Sequence, residues 1–141
     1  MENSSDMCNI LKEYLNYHTK YTEKYGDKTI VIMMCGQFYE IYGVNTEVLQ
    51  IGPNLSELSE ILNIAVARRN KNIKEISYNN YQMMGWPDHS LLKFKNILLT
   101  HGYTIIKVDQ ITAPPNPERA VTEIISPATC IDSYERNDLN D

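Results

Sequence analysis

The sequence predicts an α+β (mixed α/β) domain in which a mixed β-sheet is flanked by helices, and three features predict it. Apolar residues recur at three-to-four-residue intervals near the start, as on one face of a helix. A run rich in β-branched residues, 29–34, then breaks at Gly36 into an alternating segment, 38–42, as two strands joined by a turn would. Past the middle of the chain, a leucine-rich helical stretch leads through Gly102 into another β-branched run. Elements of both kinds, interleaved in this way, each bury one apolar face against a shared core.

Taken in order, the first helix is expected over about 6–25, after a Ser5 or Asp6 cap, with Met7, Leu11, Tyr14, Leu15, His18 and Tyr21 or Tyr25 on one face. Gly26-Asp27 ends it. Strand 29–34 reads as buried on both faces, Gly36-Gln37 as a turn or bulge, and 38–42 as a second strand running to Gly43. Asn45 is expected to start a short helix. Asn54 and Glu57 have the spacing of a capping box, which predicts a helix over 54–62 with Leu55, Leu58 and Leu62 inward. Residues 64–68 read as a strand, 70–80 as a polar loop or hairpin, and 81–85 as a further strand. Asp88 is expected to cap a helix whose apolar side is formed by Leu91, Leu92, Lys95, Leu98 and Leu99, with Gly102 as its left-handed stop. Strand 103–108, a proline-rich loop at 112–117 and strand 121–125 complete the domain, which is expected to span 1–130 without repeat or long linker. Residues 131–141 are acidic and read as a tail or the start of a linker.

The 141-residue length is that of one domain with one core. A composition of 43% hydrophobic and 22% charged residues is that of a globular protein, and the longest apolar run, 30–35, is far too short to cross a bilayer. The first six residues carry neither the basic and apolar regions of a secretory signal nor the arginines of a transit peptide, so an intracellular location is expected. Cys8, Cys35 and Cys130 are odd in number and widely spaced, which fits reduced, mostly buried thiols and not a disulfide or zinc framework. A formal charge of −5 argues against a free-standing nucleic-acid binder, so any DNA contact has to be local. The one dense basic cluster is Arg68, Arg69, Lys71 and Lys74.

Catalysis has no motif behind it. No Gly-x-x-x-x-Gly-Lys phosphate loop, Gly-x-Ser-x-Gly elbow or His-Glu-x-x-His zinc helix occurs. Cys35 with His89 is the one thiol–imidazole pair to consider, and a cysteine ending an apolar run is more often inert core. His18 and His101 are expected on the surface or on helix faces, and His89 in a structural first turn.

In strand 38–42 the side chains alternate, so Phe38, Glu40 and Tyr42 share one face and Tyr39 and Ile41 the other. Two residues of strand advance roughly 6.6–7 Å, about two stacked base-pair steps, a spacing that suits an apolar wedge beside a polar base contact. Taken alone, the pentapeptide reads more readily as a half-exposed strand with Phe38 in the core and Glu40 a solvated acid. It does not stand alone. Gly36-Gln37-Phe38-Tyr39-Glu40 resembles the Gly-x-Phe-Tyr-Glu motif of the N-terminal mismatch-recognition domain of MutS proteins. Met83-Met84-Gly85-Trp86-Pro87-Asp88-His89 is similar to that family's Met-Ala-Gly-Ile-Pro-x-His segment, and 98–110 resembles its helix end, strand and acidic-Gln step. Residues 120–129 resemble its closing strand, which ends in Thr-Pro-Gly-Thr. These segments stand in the family's order, and with the initial helix the resemblance covers most of 6–130.

The resemblance implies mismatched double-stranded DNA as partner, with Phe38 entering the minor groove to stack on a mispaired base and Glu40 hydrogen-bonding that base. Opening a step costs a few kcal/mol, and a mispaired step gives up less, so deformability is what such a wedge reads. The Glu40 carboxylate would accept a base N–H, or donate if protonated, and its charge would disfavour nonspecific approach. Arg68 and Arg69 match the basic end of the family's Leu-Thr-Lys-Arg strand and are candidates for DNA-backbone contacts, with a solvated loop the equal alternative. Tyr39 and Tyr42 read as packing residues, and Trp86 as a turn anchor in the core.

Gln37, where bacterial members commonly carry aspartate, together with Trp86 and Pro114-Pro115, departs from the common pattern. The motif variant and the Asn, Ile, Lys and Tyr content are similar to the divergent MutS group of giant viruses and octocoral mitochondria. The compartment is thereby left open between nucleus, cytoplasm, mitochondrion and viral factory. Full MutS proteins add a connector, lever and clamp helices, and a dimeric ATPase with its ATP and Mg. None of these fits in this chain. The resemblance therefore implies a non-enzymatic recognition module without a cofactor of its own, cut from a longer protein, which works with the remaining MutS domains and a second MutS subunit and binds weakly by itself. The alternative is the same fold turned to protein–protein contact, against which the retained Phe38 and Glu40 argue.

Overall fold

The computed structural model describes residues 7–127. Seven strands form one mixed sheet in the order β4-β5-β2-β1-β6-β7, with β3 added beside β2. Strand β1 (Thr29–Cys35) runs antiparallel to β2 (Phe38–Asn45) on one side and parallel to β6 (Thr104–Gln110) on the other. The parallel pair makes β1 the centre of the sheet, and its first five residues are buried on both faces, which is why that stretch reads as an uninterrupted apolar run.

Helix α1 (Asn9–Tyr25) covers one face. Its buried Tyr14 donates its hydroxyl to Val31 O at 2.8 Å and meets the Tyr42 ring edge-on at 5.3 Å. The helix starts three residues later than the expected 6, after Cys8, whose side chain makes no cap bond; the Ser5 and Asp6 caps lie outside the described residues. Helices α2 (Leu55–Leu62) and α3 (Leu91–Thr100) cover the opposite face, where the Trp86 ring of β5 (Gln82–Pro87) stacks on Phe94 of α3 at 4.6 Å.

Two of the expected helix ends are formed by the residues the sequence points to. Asn54 Oδ1 accepts the Glu57 backbone N–H at 3.2 Å and starts α2. At the end of α3, Gly102 N donates to Leu99 O and Tyr103 N to Leu98 O, both at 3.0 Å, the paired bonds of a Schellman stop.

Four expectations need correction. Asn45 does not start a helix; it ends β2. Thr46 closes a turn instead, its N–H donating to Leu49 O at 2.7 Å and its Oγ1 accepting the Leu49 N–H, and the chain returns as β3 (Gln50–Ile51) along β2. The strand expected over 64–68 shrinks to β4 (Ala67–Arg68), because Asn63 ends α2 in the left-handed region at φ +56° and Ile64 N is taken by Ser59 O. Before α3, Asp88–Ser90 form one 3-10 turn, so the cap position of the helix is Ser90 and not the expected Asp88, and the Ser90 side chain makes no cap bond. Phe94 and Leu98 are the buried residues of α3, while Leu92, expected inward, is exposed.

The loop 70–80 joins the antiparallel pair β4 and β5 and is tied around buried Asn80. That side chain donates to Ile73 O and Glu75 O, both at 2.9 Å, and accepts the Asn70 N–H at 2.8 Å. Strand β7 (Arg119–Ile125) closes the sheet against β6 with a bulge at Lys107/Val108, after the proline-containing loop.

Candidate functional site

The site is built on the β1–β2 hairpin. Cys35 and Phe38 pair across a two-residue turn whose first residue, Gly36, has φ +63°. A positive φ at that position is what a type II′ turn requires and what glycine supplies without strain. Two backbone groups of the turn are engaged. Gly36 N donates to Gln110 Oε1 of β6 at 2.8 Å, and Gln37 O accepts the Asp88 N–H, just beyond β5, at 2.8 Å. The tip is thus braced from both neighbouring strands.

Phe38 is the first residue of β2 and is 49% exposed at this tip, opposite Pro87. It is therefore not the core residue that the pentapeptide alone suggests. Glu40 lies on the same face, half-buried, between Met33 of β1 and Gly85 of β5. Glycine at 85 is a close-approach requirement: a Cβ there would stand 2.3 Å from Tyr39 O and 3.2 Å from Glu40 Cα.

Beneath the pair lies a connected polar chain. Tyr42 donates its hydroxyl to Glu40 Oε1 at 2.5 Å, and Cys35 Sγ stands 3.1 Å from the same phenol oxygen. Arg119 of β7 donates from Nη2 to Cys35 Sγ at 3.6 Å, from Nε to Met34 O at 2.7 Å and from Nη1 to Glu13 Oε1 of α1 at 3.0 Å. The Tyr42 ring is 1% exposed and held edge-on by Tyr14 and Tyr81, each at 5.3 Å. Burial first, then its hydrogen bonds to Cys35 and Glu40, pushes the Tyr42 hydroxyl pKa far up. Burial likewise raises the Cys35 thiol. Both shifts favour the protonated forms, the hydroxyl of Tyr42 and the thiol of Cys35. His89, at the surface, has its Nδ1 3.4 Å from Ser90 Oγ, and the Cys35 thiol contacts Tyr42 and Arg119.

On the other face Tyr39, 3% exposed, donates its hydroxyl to Asp109 Oδ1 at 2.5 Å. Asp109 Oδ2 takes Lys107 Nζ at 2.5 Å and the Thr122 hydroxyl. Burial alone would raise the Asp109 pKa, but the bonds from Lys107, Thr122 and Tyr39 outweigh it and hold the carboxyl below the usual carboxylate value. The Tyr39 and Tyr42 rings are packed in the core as expected, while Trp86, expected as a turn anchor, is 2% exposed within strand β5.

Phe38 and Glu40 are brought together; Arg68 and Arg69 are not brought to them. Arg68 lies opposite Gln82, which pairs with Gly43, five residues or roughly 17 Å of strand from Phe38. Its Nε and Nη2 brace its own loop through Ile73 O at 2.9 Å and Lys71 O at 3.0 Å. Arg69 is exposed, with its guanidinium carbon 5.7 Å from the centre of the Tyr81 ring. Three supporting residues escaped the sequence reading. Tyr42 as the partner of Glu40 was within reach, being two residues on along the same strand face. Gln110 and Arg119 come from 74 and 84 residues away; Gln110 stands at the acidic-Gln step of the family resemblance, but nothing local ties either residue to the hairpin.

Among the described residues no cluster of His, Cys, Asp and Glu is arranged to hold a metal, and no helix is long and apolar enough to cross a membrane. Fold and site together define a small α+β domain that presents an aromatic ring and a carboxylate from a braced hairpin. Residues 11–134 match the family described as MutS domain I, and the chain belongs to that family. A mutS homolog of Acanthamoeba polyphaga mimivirus is 33% identical over 146 residues, covering 99% of this chain. The DNA mismatch repair protein MutS of Petrotoga mobilis is 31% identical over 91% of the chain, and that of Lactococcus lactis 27% identical over 92%. The chain spans 13% of the length of the first two relatives and 14% of the third.

Proposed function

We propose that the chain reads mispaired positions in double-stranded DNA, with Phe38 as the wedge and Glu40 as the base contact. The observation that carries this reading is the half-exposed Phe38 ring on a braced tip, two residues from a carboxylate on the same face. An exposed aromatic is costly to keep in water, and a rigid one is suited to entering a base stack. Unstacking a step costs a few kcal/mol, less where pairing is already faulty, so the wedge discriminates by deformability and not by sequence. Glu40 then accepts a base N–H or, protonated, donates to a base acceptor. Membership of the MutS domain I family and relatives named as DNA mismatch repair proteins support the assignment.

Arg68 and Arg69 serve as backbone contacts at the far end of the sheet, Arg69 with the freer guanidinium. The chain supplies the probe, while the remaining MutS regions, a second MutS subunit and their ATP and Mg supply the clamp and the switch.

Low-salt fluorescence anisotropy on two duplexes that differ by one central mispair, with Phe38→Ala beside the native chain, tests the reading. Low salt is needed because the net charge is −5. A mispair preference that disappears in Phe38→Ala supports the wedge. A preference that survives, or equal binding to both duplexes, overturns it, and equal binding points to the use of this fold for protein contact.

A further inference from the structure

We infer that Tyr42 is a positioning residue for Glu40: its buried phenol fixes the carboxylate before DNA arrives and so sets the mispair discrimination of the Phe38–Glu40 pair. This rests on the reading of Phe38 and Glu40 just given. A glutamate on a sheet surface ordinarily samples several rotamers, and near DNA a mobile carboxylate swings away from the phosphates. Here Glu40 Oε1 is held at 2.5 Å by the Tyr42 hydroxyl. The anchor is itself immobile, because the ring is 1% exposed between Tyr14 and Tyr81.

With Glu40 ionised in the free protein, the donor order along the chain follows from proton count. Tyr42 has one hydroxyl proton and gives it to the carboxylate, so its oxygen is left to accept from the Cys35 S–H, and Cys35 Sγ accepts from Arg119 Nη2. Arg119 is tied to Met34 O and to Glu13 of α1. Each donor therefore polarises the next toward Glu40, and the carboxylate is referenced to the sheet centre and to α1 rather than to solvent. Ordering Glu40 in the free protein removes that ordering from the binding step, which is what preorganisation contributes to affinity and discrimination.

The test is a double-mutant cycle on the ratio of mispaired to matched duplex affinity, using Tyr42→Phe, Glu40→Ala and the pair. Tyr42→Phe keeps the ring and removes only the hydroxyl. The expected result is a fall in the ratio of roughly tenfold, the scale of one hydrogen bond to a charged group, with no further fall when Tyr42→Phe is added to Glu40→Ala. A purely structural Tyr42 would lower the ratio equally in both backgrounds, and that result, or an unchanged ratio in Tyr42→Phe, overturns the inference. A native chain without mispair preference fails the wedge reading itself, which separates the two. Independently of DNA, a slowly exchanging downfield hydroxyl proton of Tyr42 is expected by NMR and is lost in Glu40→Ala; its absence from the native spectrum also overturns the inference.

Discussion

Gln110 closes the turn that carries Phe38: its side-chain oxygen takes the Gly36 N–H at 2.8 Å across 74 residues of sequence. Without it, a backbone donor of the hairpin tip faces solvent and the tip is braced only through Gln37 and Asp88. Gln110→Ala is expected to cost about 1 kcal/mol, the net value of one such bond. It should also speed hydrogen exchange at the Gly36 amide and lower the mispair preference while leaving β6 paired. A denaturation curve checks the cost, NMR exchange checks the Gly36 amide and the pairing of β6, and anisotropy on matched and mispaired duplexes checks the preference.

Gly85→Ala is expected to be among the more damaging single-methyl changes in the sheet. The added carbon would meet Tyr39 O at 2.3 Å, which is backbone and can yield only by shifting β5 against β2 beside Glu40. Overpacking of this kind typically costs about 1–3 kcal/mol. The fall in denaturant midpoint gives the measure.

Arg119 and Glu13 are ion-paired at 3.0 Å, yet their substitutions should not be equivalent. The arginine side chain is 12% exposed and also serves Met34 O and Cys35 Sγ, whereas the glutamate is 34% exposed and accepts this one bond. Arg119→Met is expected to cost about 2–3 kcal/mol, since several partly buried groups lose their donor. Glu13→Gln should cost under about 1 kcal/mol, the scale of an exposed pair. Paired unfolding curves decide.

Acid should weaken the β6–β7 edge through Asp109. Its carboxyl is held below the ordinary value by Lys107, Thr122 and Tyr39, against burial. A depressed folded-state pKa contributes stability that is fully present above the unfolded value of about 3.9 and is lost as pH falls through the folded value. Native protein is expected to lose stability below about pH 4, and Asp109→Asn to start less stable at neutral pH but to show a shallower loss on acidification. Thermal melts from neutral pH to about pH 3 test the slope.

What was legible in the sequence was local. The period-two alternation after Gly36 gave the hairpin and put Phe38 and Glu40 on one face, and the Asn54–Glu57 spacing gave the α2 cap. Where two local signals competed, the reading failed: Asn45 looked like a helix start, yet the Thr46 turn and the β3 return claimed it. Leu92, expected on the apolar side of α3, is exposed, while Phe94, which the sequence reading did not place, is buried against the Trp86 ring of β5. The exposure of Phe38 could not follow from hydrophobicity, which favours the core; it follows from its place as the first residue of β2, beside a turn that Gln110 and Asp88 hold in place.

The wedge role of Phe38 is read most directly by placing 2-aminopurine beside a central mispair and following its fluorescence as the chain saturates the duplex at low salt. A fluorescence change is expected on the mispaired duplex as Phe38 disrupts the stack, a much smaller change on the matched duplex, and neither with Phe38→Ala. An equal change in the native chain and in Phe38→Ala would rule the wedge out.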